Sequence, residues 1–321
     1  MTSSPHDAIF KAAFGQPDIA RSELELLLPS EVATQLDLST IETVPGSFID
    51  DELQHTHSDL LYKVRTRAGR TGLVYVLFEH QSSPDTTMPF RLLRYTVRIW
   101  ERWLRDHPLP LPIVIPVVLH HGDGAWSAAT DLASLLDATP ELLEAARPFL
   151  PLFRFALDDL ATKTPEELAS RTLGALPRLV QLGLWASRSF PRLRDAAPFM
   201  RTLVENLVRD ERTRSLLTQL YVYLLRSAQA DVEEAAVRTI LLDVAGPQGQ
   251  EDVVNAGEQL IEQGQVRALR HGIARVLAAR SLPLSEVGRA RLDACADVAR
   301  LTHWLERAAT ATSEAAVFAA P

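Results

Sequence analysis

The sequence predicts an α/β protein with a mixed sheet flanked by helices in its N-terminal half and helices alone in its C-terminal half. Three observations carry that expectation. Near Asp59 the apolar residues change period, from the three-to-four spacing of helices to short, nearly continuous apolar runs. Two such runs, residues 60–64 (LLYKV) and 73–80, flank Arg67-Ala68-Gly69-Arg70-Thr71-Gly72, a glycine-bearing turn that joins them as a hairpin. Beyond Thr164 every apolar pattern is helical. The order helix, strand, hairpin, helix, strand calls for a central sheet with helices on its faces, because each amphipathic helix must bury its apolar stripe.

In chain order, Ser4 can cap a helix and Pro5 suits a first helical position. Ile9, Phe10, Ala13 and Phe14 give that helix one apolar face, and Gly15-Gln16-Pro17 breaks it before a second run over residues 19–28. A short helix over 31–36 and an extended stretch over 41–48 follow. After the hairpin, residues 82–87 form a loop and 88–106 a strongly amphipathic helix closed by His107-Pro108. Its Leu93, Val97, Trp100 and Leu104 are expected to face the core, while Arg91, Arg94, Arg98, Arg102 and Arg105 form a basic stripe. Residues 111–119 read as a strand buried on both faces, with Pro112 and Pro116 favouring an edge or a bulge. Residues 152–157 offer one more strand, and helices are expected over 166–187, 199–210, 214–228, 232–244, 251–279 and 284–310. The reading is an αβββαβ domain over residues 1–160 and a helical region over 161–321.

A chain of 321 residues, 46% hydrophobic, can bury a substantial core. The formal net charge of −8 argues against a surface that binds nucleic acid everywhere, so any such contact must come from a local basic patch. The single Cys295 excludes an intrachain disulfide and fits a reducing compartment. No segment reads as a secretory signal or a membrane span, and the expected location is cytoplasmic.

The chemistry rests on spacing. Residues two apart on a strand share a face, so Glu79 and Gln81 of FEHQS point to the same side. If Asp59 begins the neighbouring antiparallel strand, hairpin pairing brings it level with Glu79. Two carboxylates then converge, the ligand set that suits Mg²⁺, with water and substrate phosphate filling its other positions. Either acid alone is more often a solvated strand cap; the pair is the signal. Gln81 could orient water or a phosphate oxygen, although a strand-end amide commonly just satisfies backbone groups. Arg91, Arg94 and Arg98 lie nearest in sequence and could grip phosphates, against the ordinary reading of a solvated helix face. The histidines His55, His57, His80, His120 and His121 have no cysteine nearby and no zinc spacing. Ser82-Ser83 lacks the Gly-x-Ser-x-Gly turn of a serine nucleophile.

HDAIFKAAF, LPSEVATQLDLSTIETVPGSFIDDEL, SDLLYKV, VYVLFEHQSSPDTTMPFRLLRYTVRIWERWL and LPIVIPVVLHHG occur in order, and LTHWLERAATATSEAAVF follows near the C-terminus. Together they resemble the recombination-promoting nuclease/putative transposase family of the PD-(D/E)XK nuclease superfamily. The resemblance implies a restriction-endonuclease-like αβββαβ core and a Mg²⁺-dependent DNA endonuclease tied to recombination or mobile elements. It makes Asp59 and Glu79 the metal-binding acids and places Gln81 where the superfamily more often has Lys. His6 and Asp7 fall on the family's opening His-Asp pair and would line the site; a simple cap by Asp7 in the first helical turn serves equally. His120 stands where the family usually has Tyr. The expected partner is DNA, with a homo-oligomer left open, and the helical region would place DNA, support oligomerisation, or both. Two other readings remain: a catalytically silent DNA- or protein-binding member of the same fold, and a helical scaffold whose α/β half serves only assembly.

Overall fold

The computed structural model describes residues 5–44, 60–68, 73–81, 83–227 and 234–319. It is an α/β structure rich in helix, and compactness divides it into two units, Met1–Asp252 and Val253–Pro321.

The first unit opens with α1 (Pro5–Phe14), α2 (Pro17–Leu27) and the single turn α3 (Ser30–Ala33), then β1 (Leu36–Val44), β2 (Leu60–Thr66) and β3 (Leu73–Gln81). Next come α4 (Met88–Asp106), β4 (Ile113–His120), α5 (Pro140–Ala146) and β5 (Ala156–Asp159). The five strands lie in the order β1-β2-β3-β4-β5. The first three are antiparallel neighbours, whereas β3-β4 and β4-β5 are parallel, as a strand reached through a crossover such as α4 must be. The helix, strand, hairpin, helix, strand order of the sequence reading is therefore present.

Each face of the sheet has its own cover. Leu61, Val118 and Phe155 meet Met88, Leu92, Tyr95, Ile99 and Trp103 of α4 in one buried cluster. The sequence reading put a different stripe of α4 inward: Val97 and Leu104 are 41% and 49% exposed, and Leu93 and Trp100 are half-buried. The helix carries two apolar stripes at helical spacing. The one containing Tyr95 and Trp103 takes the sheet. Opposite, Tyr62 and Val64 are fully buried together with Ile9, Phe10, Phe14, Ile19 and Leu24 of α1 and α2. The Tyr62 hydroxyl donates to the carbonyl of Phe14 at the end of α1.

Helices α6 (Pro165–Ala169), α7 (Ala175–Ala186), α8 (Phe190–Glu205), α9 (Glu211–Ser227) and α10 (Glu234–Ala245) complete this unit. The sequence reading ended the first domain at residue 160, but α7 packs on α1 and α2 and α9 packs on α1, which groups residues 161–252 with the sheet. Several bounds also move. The expected helix 166–187 is two, because a Thr164/Glu167 capping box starts the short α6 and α7 starts afresh after Gly174. Helix α8 begins nine residues before the expected 199: Ser189 caps it and Pro198, which reads as a breaker, is accommodated inside. Strand β1 starts at Leu36 rather than residue 41, and β5 occupies 156–159 rather than 152–157.

The second unit follows within α11 (Gln250–Ala279) and contains α12 (Glu286–Ala294), α13 (Val298–Ala308) and the turn α14 (Glu314–Val317). The expected helix 284–310 breaks at residues 295–297, where the Asp297 side chain accepts from the Arg300 N–H and caps α13. Ile273, Leu277, Leu292, Leu301, Trp304, Val317 and Phe318 form its core. Among the described residues no helix is long and apolar enough to cross a membrane.

Candidate active site

Glu79 and Gln81 lie in the last three residues of β3, whose apolar run LVYVLF precedes them. Across β2 the register pairs Leu60 with Phe78, the residue before Glu79. Asp59 lies outside the described residues, as do the side chains of Glu79, Gln81 and His6. Asp7 is half-buried in the first turn of α1.

Across the parallel edge the register pairs Glu79 with Val118 and Gln81 with His120, and His120 in turn pairs with Asp159 of β5. The C-terminal ends of β3, β4 and β5 thus form a row, Gln81–His120–Asp159, at the edge where an open sheet with parallel strands commonly presents its site. The sequence reading missed Asp159. The only cue was its place at the polar end of a short apolar strand, since Phe155-Ala156-Leu157 runs into Asp158-Asp159. Alternation sends those neighbouring carboxyls to opposite faces: Asp158 to the side of α2 and α7, Asp159 to the side of His120.

His120 is fully buried, and its Nε2 lies 3.0 Å from the carbonyl oxygen of Gly124 and 4.0 Å from Asp159 Oδ1. A carbonyl only accepts, so Nε2 carries the hydrogen in that contact, and a neutral ring then presents Nδ1 as an acceptor. Nδ1 is buried and has no hydrogen-bond partner among the described residues. Trp126 packs edge-on against the imidazole at 5.3 Å and against Phe155 at 6.0 Å. Asp159 holds this corner by accepting from the backbone N–H of Trp126 at 2.7 Å and of Ala161 at 3.1 Å. The loop after β4 is pinned from the other side. Arg188 donates to both carboxylate oxygens of Asp123, at 3.0 and 3.3 Å, and Arg192 donates to the Asp123 carbonyl at 2.9 Å. Asp159→Ala should therefore cost about 1–3 kcal/mol, because two N–H groups lose their acceptor in a part-buried corner. Urea unfolding monitored by Trp fluorescence would show it, and an unchanged midpoint would mean that Asp159 does not hold the loop.

The arginine-bearing helix follows through the loop at Asp85. That carboxylate accepts from the Thr87 N–H and hydroxyl and from Arg91 at 2.8 Å, so Arg91 is half-buried and committed within the protein. Arg98 pairs with Glu101 at 3.1 Å on the exposed face, and Arg94 is exposed one turn earlier. Of the three expected phosphate contacts, Arg94 and Arg98 face solvent.

Among the described residues no three His, Cys, Asp or Glu side chains are grouped to hold an ion. With one or two carboxylates as its usual protein ligands, Mg²⁺ needs no such group.

The chain is similar in sequence to known proteins. A recombination-promoting nuclease, RpnD of Escherichia coli O157:H7, is 35% identical over 230 residues, covering 70% of this chain and 82% of that protein. The recombination-promoting nuclease RpnA of Escherichia coli strain K12 is 28% identical over 295 residues, 90% of this chain and 94% of that protein. The same strain's RpnE, named an inactive recombination-promoting nuclease-like protein, is 29% identical over 292 residues, 89% of this chain and 91% of that protein. No solved structure matches. The family described as "Putative transposase, YhgA-like" matches residues 4–218, which take in the sheet and the strand-end row just described, and this chain belongs to that family of recombination-promoting nuclease relatives.

Proposed function

We propose that this chain is a metal-dependent DNA endonuclease with a PD-(D/E)XK core, acting in recombination. The observation that carries the reading is the position of Glu79 and Gln81 at the C-terminal end of β3, with β2 opening opposite Phe78, in a chain whose relatives are named nucleases. In this reading Asp59 and Glu79 hold Mg²⁺. The ion, when bound, acidifies a water ligand and offsets charge on the scissile phosphate. Gln81 carries no charge and cannot take a proton as a lysine might; its amide orients the attacking water. Arg98, exposed on α4, supplies positive charge for the DNA backbone, which gives affinity without sequence preference.

The test is nicking of supercoiled plasmid DNA by the full chain. Cutting in Mg²⁺ that stops in EDTA supports the reading. A second reading, a catalytically silent DNA-binding member, is favoured by a relative that is named inactive. Retarded migration of DNA with no nicking in either condition would select it.

A further inference from the structure

The outer surface of α4 carries an apolar stripe that is partly open to solvent. Phe90, Leu93, Val97, Trp100 and Leu104 recur at alternating spacings of three and four, the a and d positions of a heptad seam. Phe90, Val97 and Leu104 are 52%, 41% and 49% exposed, while Leu93 and Trp100 are half-buried. The apolar surface continues past the helix. Trp100 Nε1 donates to the carbonyl of Pro112 at 2.9 Å, which sets the adjoining Ile113, itself 63% exposed, beside the stripe. Apolar residues scattered singly on a surface need no explanation, but a contiguous row at coiled-coil spacing does.

Charge decides what covers it. On the same helix, Arg94 and Glu101 occupy successive e positions on one flank of the seam, and both are exposed. A second copy of α4 laid antiparallel across the seam brings Glu101 of each copy opposite Arg94 of the other. The flank is thus complementary to itself under two-fold symmetry, the symmetry of most homodimers. The intrahelical Arg98–Glu101 pair is solvent-exposed and offers little resistance to this exchange. Arg98, Arg102 and Arg105 lie further round the helix and stay outside the seam. A generic apolar partner would not need opposite charges at matched positions.

We infer that the face of α4 bearing Phe90, Leu93, Val97, Trp100 and Leu104 is a homodimer interface, closed by antiparallel pairing with the same helix of a second copy. The inference stands apart from the nuclease reading, since it concerns mass and contact rather than cleavage.

The experiment is light scattering on the full chain after size exclusion, across a range of concentrations. The native protein should approach twice its 35.6 kDa at high concentration. Val97→Glu, at an exposed position where the monomer's packing is not disturbed, should hold it at monomer mass, with an unchanged circular dichroism spectrum. Arg94→Glu should weaken the dimer at least tenfold, and Arg94→Glu combined with Glu101→Arg should restore it. Val97→Cys should crosslink through a short bis-maleimide, against the background of a chain whose one cysteine, Cys295, is buried. A native chain that stays at monomer mass, or a dimer indifferent to both Val97→Glu and the charge swap, overturns the inference and leaves the stripe to another partner.

Discussion

Glu79→Ala should lower the rate of Mg²⁺-dependent plasmid nicking on the order of 10³-fold while leaving the circular dichroism spectrum unchanged. An ion bound at a phosphoryl oxygen contributes several kcal/mol to the transition state, and each 1.4 kcal/mol is about tenfold in rate. Glu79 is the strand-end carboxylate with which the proposed site keeps that ion, so its removal should forfeit most of the term. Asp59→Ala should fall as far. The double variant should fall little further, because two ligands of one ion act as a unit and their losses do not add. Gln81→Ala should cost less, on the order of ten- to a hundredfold, if the amide only orients water. The measurement is initial nicking rate at saturating Mg²⁺, with gel retardation run alongside to show that DNA binding persists. A Glu79→Ala protein that nicks at the native rate would remove Glu79 from catalysis and the proposed mechanism with it.

That Glu79 and Gln81 stand at a strand end was legible from the sequence, because an apolar run that stops at two polar residues of equal parity is a short-range pattern. The hairpin and the helix over residues 88–106 were legible for the same reason. What a single chain does not show is which of two equally periodic stripes faces inward. On α4, the stripe through Val97 and the one through Tyr95 both satisfy helical spacing, and it is the contact with Leu61, Val118 and Phe155 that takes Tyr95 and Trp103 inward. Asp159 was missed on related grounds. Its meaning depends on a partner 33 residues away, the Trp126 N–H, and on the parallel register that aligns it with His120. The break between α6 and α7 was hidden because each half continues a helical pattern, and the packing of α7 on α1 and α2 and of α9 on α1 joins segments more than 140 residues apart. Long-range pairing decides where a helix packs or a strand-end carboxylate finds its partner, and local period carries no record of it.

The same limit applies to the buried charges behind the sheet, where the second large effect is expected. Asp158 is buried on β5, and Arg171 donates to both its oxygens at 2.6 and 2.8 Å. Glu23 of α2, fully buried, accepts from the side-chain amide of Gln181 on α7. Asp158→Ala should destabilise the first unit by about 3–5 kcal/mol, because it leaves the Arg171 guanidinium buried without its carboxylate. In a unit of this size that lowers the melting midpoint on the order of 10 °C. Replacing Asp158 and Arg171 together by leucine should cost less than Asp158→Ala alone, since no charge is then left uncompensated. Glu23 responds to pH in a way that identifies its role. Burial, reinforced by the neighbouring Asp158 carboxyl, holds its pKa well above the ordinary glutamate value. The folded state therefore keeps a proton that the unfolded chain releases. The associated stability is fully present below the unfolded glutamate value and is lost as pH rises toward the folded one. Within that window the loss is up to about 1.4 kcal/mol per pH unit. Glu23→Gln copies the protonated form without its titration, so the variant should gain stability relative to the native chain as pH rises from 5 to 8. Urea unfolding of both proteins at each pH measures that difference. A difference that stays flat across the range would mean that Glu23 is ionised in the folded state, and the carboxyls on α2 and β5 would then need a compensating charge beyond Arg171.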